Sequence, residues 1–161
     1  MKKTIFILFA LIFTLVTAPW NPGAIDWAQA APAIKFDPKK VNDKLNAGYL
    51  DEVKPLNPQL NGTIYLRGWA QDLKQQKPTS ELVVLSDGKA ISAPIKAGLN
   101  RGDVAKTFNN NNLVNSGYES TFPAKILKKG KHKLEIYAHQ SDGSFIPLRY
   151  KDKSFIDLTV Q

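Results

Sequence analysis

The sequence predicts an all-β protein: an antiparallel β-sandwich of about seven or eight short strands, interrupted by one short helical insertion. Two observations carry that reading. Strand-length runs, alternating or wholly apolar, recur from Tyr49 to the end of the chain. Between them fall the turn pairs Asn61-Gly62, Asp87-Gly88 and Asp142-Gly143. A third observation sets the scale: 161 residues leave room for one domain with an ordinary core once an N-terminal leader is set aside.

The leader is residues 1–30. Met1-Lys2-Lys3 is a positive start, Ile5 to Phe13 with Leu15-Val16 is strongly apolar, and Pro19 and Asn21-Pro22-Gly23 break any helix. Ala28-Gln29-Ala30 matches the small-x-small pattern that precedes signal-peptide cleavage. The alternative is an uncleaved membrane anchor, because the apolar run approaches the ~17 residues that can just span a bilayer. Either way the remainder is extracytoplasmic: secreted, periplasmic or at the cell surface. Residues 31–47 follow as a flexible segment with a short helix. Asp37 would cap it, Pro38 would take its first position, and Val41 and Leu45 would share a face. The sandwich domain takes residues 48–161.

Tyr49–Val53 is the first strand, ended by Pro55 and Pro58. Thr63–Arg67 alternates, with Ile64 and Leu66 on one face. Gly68 and Trp69 break the alternation, so Trp69 is placed where the strand leaves the sheet, with Gln71–Pro78 as a loop. Glu81–Leu85 is a buried strand. The Asp87-Gly88 turn then returns Lys89–Ile95, an edge strand by its Pro94. Asn100–Phe108 reads as a helical turn or two, with Val104 and Phe108 four apart, and the asparagines 109–112 as a loop. Gly117–Phe122 is a strand, and Lys129-Gly130-Lys131 a turn. His132–His139 alternates with Leu134, Ile136 and Ala138 on one face. Phe145–Leu148 and Ser154–Val160 complete the sheets. Prolines 94 and 147 defend edges, which favours a monomer.

The order of several short motifs resembles an Ig-like β-sandwich accessory module of bacterial, especially cyanobacterial, extracytoplasmic proteins. They are Gly48-Tyr49-Leu50-Asp51, Gly68-Trp69-Ala70-Gln71-Asp72, Asp87-Gly88, Arg101-Gly102-Asp103-Val104-Ala105, Asn115-Ser116-Gly117-Tyr118, Gly130-Lys131-His132-Lys133-Leu134 and Tyr137-Ala138. The likeness spans roughly residues 48–160. It departs at Gly102, where the module would carry proline. The resemblance implies a non-catalytic module and brings no active site with it.

Composition narrows the chemistry. There is no cysteine, hence no disulfide, thiolate metal site or cysteine nucleophile. The net charge of +8 suits anionic partners. The lysines are scattered, however, and the densest group, Lys125, Lys128, Lys129, Lys131 and Lys133, reads as a solvated turn. No basic helix with interleaved aromatics argues for nucleic acid. No phosphate loop, serine elbow or metal-ligand spacing is present, so neither cofactor nor metal is expected. His132 and His139, seven apart on one strand, face opposite ways. Arg101-Gly102-Asp103 spells the integrin tripeptide but sits at a structural position of the resemblance.

Asp51, Asp72, Asp87 and Asp103 are the carboxylates a glycoside hydrolase would pair, and turns or caps explain three of them better. Trp69 reads as a core anchor, with an exposed sugar-stacking platform as the alternative. The binding candidates are Trp69, Tyr65, Tyr118 and Tyr137, with Arg101 and Asp103 as polar partners. The expected role is therefore a non-catalytic secreted or surface module that binds or scaffolds. Its partner would be an envelope polysaccharide or another envelope protein. A membrane-anchored component of an envelope complex and a carboxylate-dependent glycoside hydrolase are the alternatives.

Overall fold

The computed structural model describes residues 34–161, so the leader expected over residues 1–30 lies outside the described residues. Two sheets hold the chain. The first has the order β1 (Gly48–Lys54), β2 (Thr63–Asp72), β7 (Gly117–Pro123), β6 (Ile95–Leu99), with β3 (Lys77–Pro78) on the end of β2. The second has the order β10 (Ile156–Val160), β8 (Gly130–His139), β4 (Leu82–Ser86), β5 (Lys89–Ala90), with β9 (Phe145–Pro147) beside β8. Among the described residues every ladder between these strands is antiparallel. Among the described residues one α-helix, α1 (Gly102–Thr107), interrupts the strands.

The main core lies between the sheets. Leu50, Ile64, Leu66, Tyr118 and Phe122 from the first meet Val84, Leu134, Ile136, Ile156 and Leu158 from the second. The period-2 pattern of β8 delivers Leu134, Ile136 and Ala138 to it as one face. Both sheets are also covered on parts of their outer faces. Val104 and Ala105 of α1, with Leu113, close over Trp69. On the other side Ile34, Phe36 and Val41 pack on Val83, Leu85, Tyr137 and Phe145.

That last contact changes the reading of residues 31–47. Asp37 does accept from Lys39 N (3.0 Å) with Pro38 behind it, but only a 3₁₀ turn, Pro38–Lys40, forms. Val41 is already extended and bridges to Phe145. From here the chain runs parallel to residues 145–149: Asn42 N donates to Phe145 O (2.9 Å), Ala47 N to Pro147 O (3.3 Å), Arg149 N to Gly48 O (3.0 Å) and Leu50 N to Arg149 O (2.8 Å). Backbone pairing and apolar cover outcompete a short isolated helix.

β2 differs as well. It does not end at Trp69 but continues through Gly68 to Asp72. Gly68 is there for close approach: a Cβ at that position would lie 2.1 Å from Tyr49 O and 2.8 Å from Tyr118 Oη. The irregularity falls on the partner instead, where Asp51 is the extra residue of a bulge in β1 between Leu50 and Glu52. The return after Asp87-Gly88 (φ 51° and 75°, as a type I′ turn requires) is split. β5 stays on the second sheet, and the chain crosses over near Ile91–Pro94 to become β6, the edge of the first. The asparagine run forms a 3₁₀ turn, Asn111–Asn115, capped by Asn110 (3.0 Å from Asn112 N), which buries Leu113.

Candidate functional site

The outer face of the first sheet carries the polar and aromatic side chains that share one surface. Alternation along β2 sends Tyr65, Arg67 and Trp69 to it, while Ile64, Leu66 and Gly68 face the core. β1 adds Tyr49, paired with Trp69, and the bulged Asp51. Arg101, at the N-terminal end of α1, reaches back over the sheet. It has room because Gly117 has no side chain; a Cβ there would lie 3.0 Å from Arg101 Cγ.

Arg101 ties this face together. Its Nε and Nη2 donate to the two oxygens of Asp103 (2.9 and 2.8 Å), and its Nη1 donates to Asp51 Oδ2 (2.5 Å). The Arg101 side chain is 13% exposed, whereas Asp51 and Asp103 are open to solvent. Such a fork-to-carboxylate pair combines charge with fixed geometry. The Arg101 hydrogen bonds hold the Asp103 carboxyl down to about 2, against the cost of desolvation, and the same bonds with the Asp51 charge raise Arg101. Around them Asp51, Glu52, Arg67, Asn100, Arg101 and Asp103 line an open cleft of about 510 Å³. Among the described residues Arg67 makes no ion pair, while Glu52 pairs with Lys54.

Beside the cleft lies an aromatic row. The Trp69 ring is flanked by Tyr49 (centroids 5.9 Å) and Phe108 (5.3 Å). Trp69 is only 6% exposed, so it anchors the satellite core beneath α1 and is not itself an open platform. The open rings are its neighbours: Tyr49 is 39% and Phe108 51% exposed.

The six candidate residues therefore separate. Trp69, Tyr65, Arg101 and Asp103 share the outer face of the first sheet. Tyr118 does not: it is buried in the main core, its hydroxyl over Gly68 and without a hydrogen-bond partner among the described residues. Burial, and then the Asp51 charge, push its ionisation far upward. Tyr137 belongs to the opposite face of the molecule, beneath Phe36 (5.1 Å between centroids). There burial and then Glu135 push it up to about 12.

Both tyrosines alternate correctly within their strands. Which face becomes interior, and which is capped by Phe36, is decided by the pairing of distant segments. Tyr49 and Phe108 were missed, and Asp51 was singled out only as a carboxylate a hydrolase would pair, because each takes its place here only through Arg101 or Trp69. The one local hint was Arg101 two residues from Asp103.

The other titratable candidates are held by turns and braces. Burial raises Asp72, but its bonds from Ser141, Gln75 and Lys74 outweigh this and hold it below the ordinary carboxylate range. Asp87 is lowered by Lys133 N and then by His132. His132 and His139 do face opposite ways, and neither is simply solvated. His132 Nδ1 lies 2.8 Å from Asp87 Oδ2, and His139 Nδ1 lies 2.5 Å from Glu81 Oε2.

The chain matches no protein-family model, no curated protein and no solved structure.

Proposed function

We propose that the chain is a non-catalytic, Ig-like binding module, exported by its leader to work outside the cytoplasm, and that its ligand is an envelope polysaccharide. The observation that carries this reading is the row of open rings, Tyr49 and Phe108 about Trp69, beside the cleft of Asp51, Glu52, Arg67, Asn100, Arg101 and Asp103. Sugars present apolar ring faces and a rim of hydroxyls. An aromatic surface next to fixed donors and acceptors matches both. The motif order resembling an extracytoplasmic accessory module supports the same reading. So does the use of the aspartates: Asp72 and Asp87 brace turns, and Asp51 and Asp103 hold Arg101. An acid–base pair would need carboxyls directed at a substrate.

Calorimetric titration against a panel of envelope polysaccharides tests the reading. One member should bind saturably, and Tyr49→Ala and Phe108→Ala should each weaken it by about tenfold without loss of fold. If no member binds, or if both substitutions leave binding intact, the reading is wrong.

A further inference from the structure

The lysine group singled out in the sequence occupies one end of the sandwich, remote from the cleft. There a 3₁₀ turn, Ala124–Leu127, joins β7 to β8. Its period of about three residues turns Ala124 and Leu127 into the core as a plug and forces Lys125 and Ile126 outward. Ile126 is 39% exposed, one of five large apolar side chains open to solvent among the described residues. It is surrounded in sequence by Lys125, Lys128, Lys129 and Lys131, all exposed, and none of these four makes an ion pair among the described residues.

The turn is also held in an unfavourable shape. Lys128 has φ 63°, a left-handed conformation uncommon for lysine, and the carbonyl of Lys128 faces His132 Nε2 (3.3 Å), itself braced by Asp87. The fold thus maintains an apolar side chain pushed out among unpaired cations.

We propose that this end docks on an anionic lipid surface, with the lysines against headgroup phosphates and Ile126 entering the interfacial layer. The lysines alone would suit any polyanion. The outward isoleucine decides for lipid: the apolar face of a sugar ring is covered by a flat aromatic ring, which this end lacks among the described residues, whereas the headgroup–acyl boundary takes a branched aliphatic tip out of water. The proposal is independent of the polysaccharide reading, which concerns the cleft.

The chain has no cysteine, so a single one can be labelled. Asn61→Cys places an environment-sensitive dye beside the turn, where Gly62 O accepts from Ala124 N (2.9 Å), and leaves Ile126 and the lysines native. Gln75→Cys places the same dye past the other end of β2. Phosphatidylglycerol-containing vesicles should shift the Asn61→Cys dye to the blue, and phosphatidylcholine vesicles should not. The shift should disappear at high salt, and the Gln75→Cys dye should stay unmoved.

In the Asn61→Cys background, each Lys→Gln change at 125, 128, 129 or 131 should weaken partitioning by about fivefold, and Ile126→Ser by roughly fivefold. Three outcomes overturn the proposal. The two labels shift alike, so that attachment is through another part of the chain. Ile126→Ser changes nothing. Or the dye responds to the acidic polysaccharide alginate and not to lipid.

Discussion

Replacing Gly68 by alanine asks for space that the β1 backbone and the Tyr118 side chain already fill. The new Cβ would stand 2.1 Å from Tyr49 O, where real Cβ atoms keep at least about 3.0 Å, and 2.8 Å from Tyr118 Oη. Neither neighbour is free: Tyr49 pairs with Trp69, and Tyr118 is wholly buried. Relief requires β1 to move from β2 by roughly 1 Å and Tyr118 to shift within the core, strain of the kind that costs about 1–3 kcal/mol in overpacked cores. Stretching the rungs beside Leu50 and Trp69 costs about 1 kcal/mol each. Alanine recovers about 0.5–1 kcal/mol over glycine by restricting the unfolded chain. The net loss is about 3 kcal/mol, read in urea as a midpoint lowered by about 1–2 M at unchanged slope. Gly102→Ala is the control: its Cβ meets only Asn100 Oδ1 at 3.7 Å, so stability should rise by about 0.5 kcal/mol. A Gly68→Ala protein within about 1 kcal/mol of the parent would refute the close-approach argument and return Gly68 to a strand-ending role.

Three further outcomes are expected. Tyr118→Phe removes a buried hydroxyl without a partner among the described residues and should stabilise the fold by about 1 kcal/mol in the same urea assay; destabilisation would mean the hydroxyl is satisfied in solution. Asp103 ionises near 2 when folded, below its unfolded value of about 3.9, so its stabilisation is present above about pH 4 and lost as the pH falls towards 2. Asp103→Asn should therefore flatten the stability profile across that window, by about 1 kcal/mol once solvent screening of this exposed side chain is allowed for, and an unchanged profile would deny the Arg101 pairing. Phe36→Ala opens the cover of Tyr137 and Phe145, so it should cost about 2 kcal/mol for a half-buried ring and lower the Tyr137 ionisation from about 12 towards its ordinary value, measured by ultraviolet titration.

Those residues also mark how far the fold can be read from order in the chain. Alternation identifies β8, and Asp87-Gly88 identifies the β4–β5 hairpin, because both signals are local: side-chain period and positive φ. The Gly68 misreading has a different origin. A glycine that ends a strand and one that admits a neighbouring backbone look alike until Tyr49 and Tyr118 are in place. Likewise, nothing near Ile91 announces that the chain changes sheets there, since the choice depends on whether Val84 or Tyr118 lies alongside. In the site, Arg101 and Asp103 are two residues apart and could be joined on sight. Asp51, fifty residues away from Arg101, enters only because a bulge turns it outward.

The parallel pairing of residues 41–50 with 145–149 has a consequence in time. Each of its hydrogen bonds joins positions about a hundred residues apart, and the first strand of the domain uses two of them, Arg149 N to Gly48 O and Leu50 N to Arg149 O, to complete its edge. A ribosome delivers Gly48 long before Arg149. Through that interval β1 has its partner in β2 but an open flank, and Phe36 has no Phe145 to rest on. The fold closes late, only once residues 145–149 have emerged, so while residues 51–144 are being made the first strand keeps one edge unpaired and the apolar cover of the second sheet has nothing to close on.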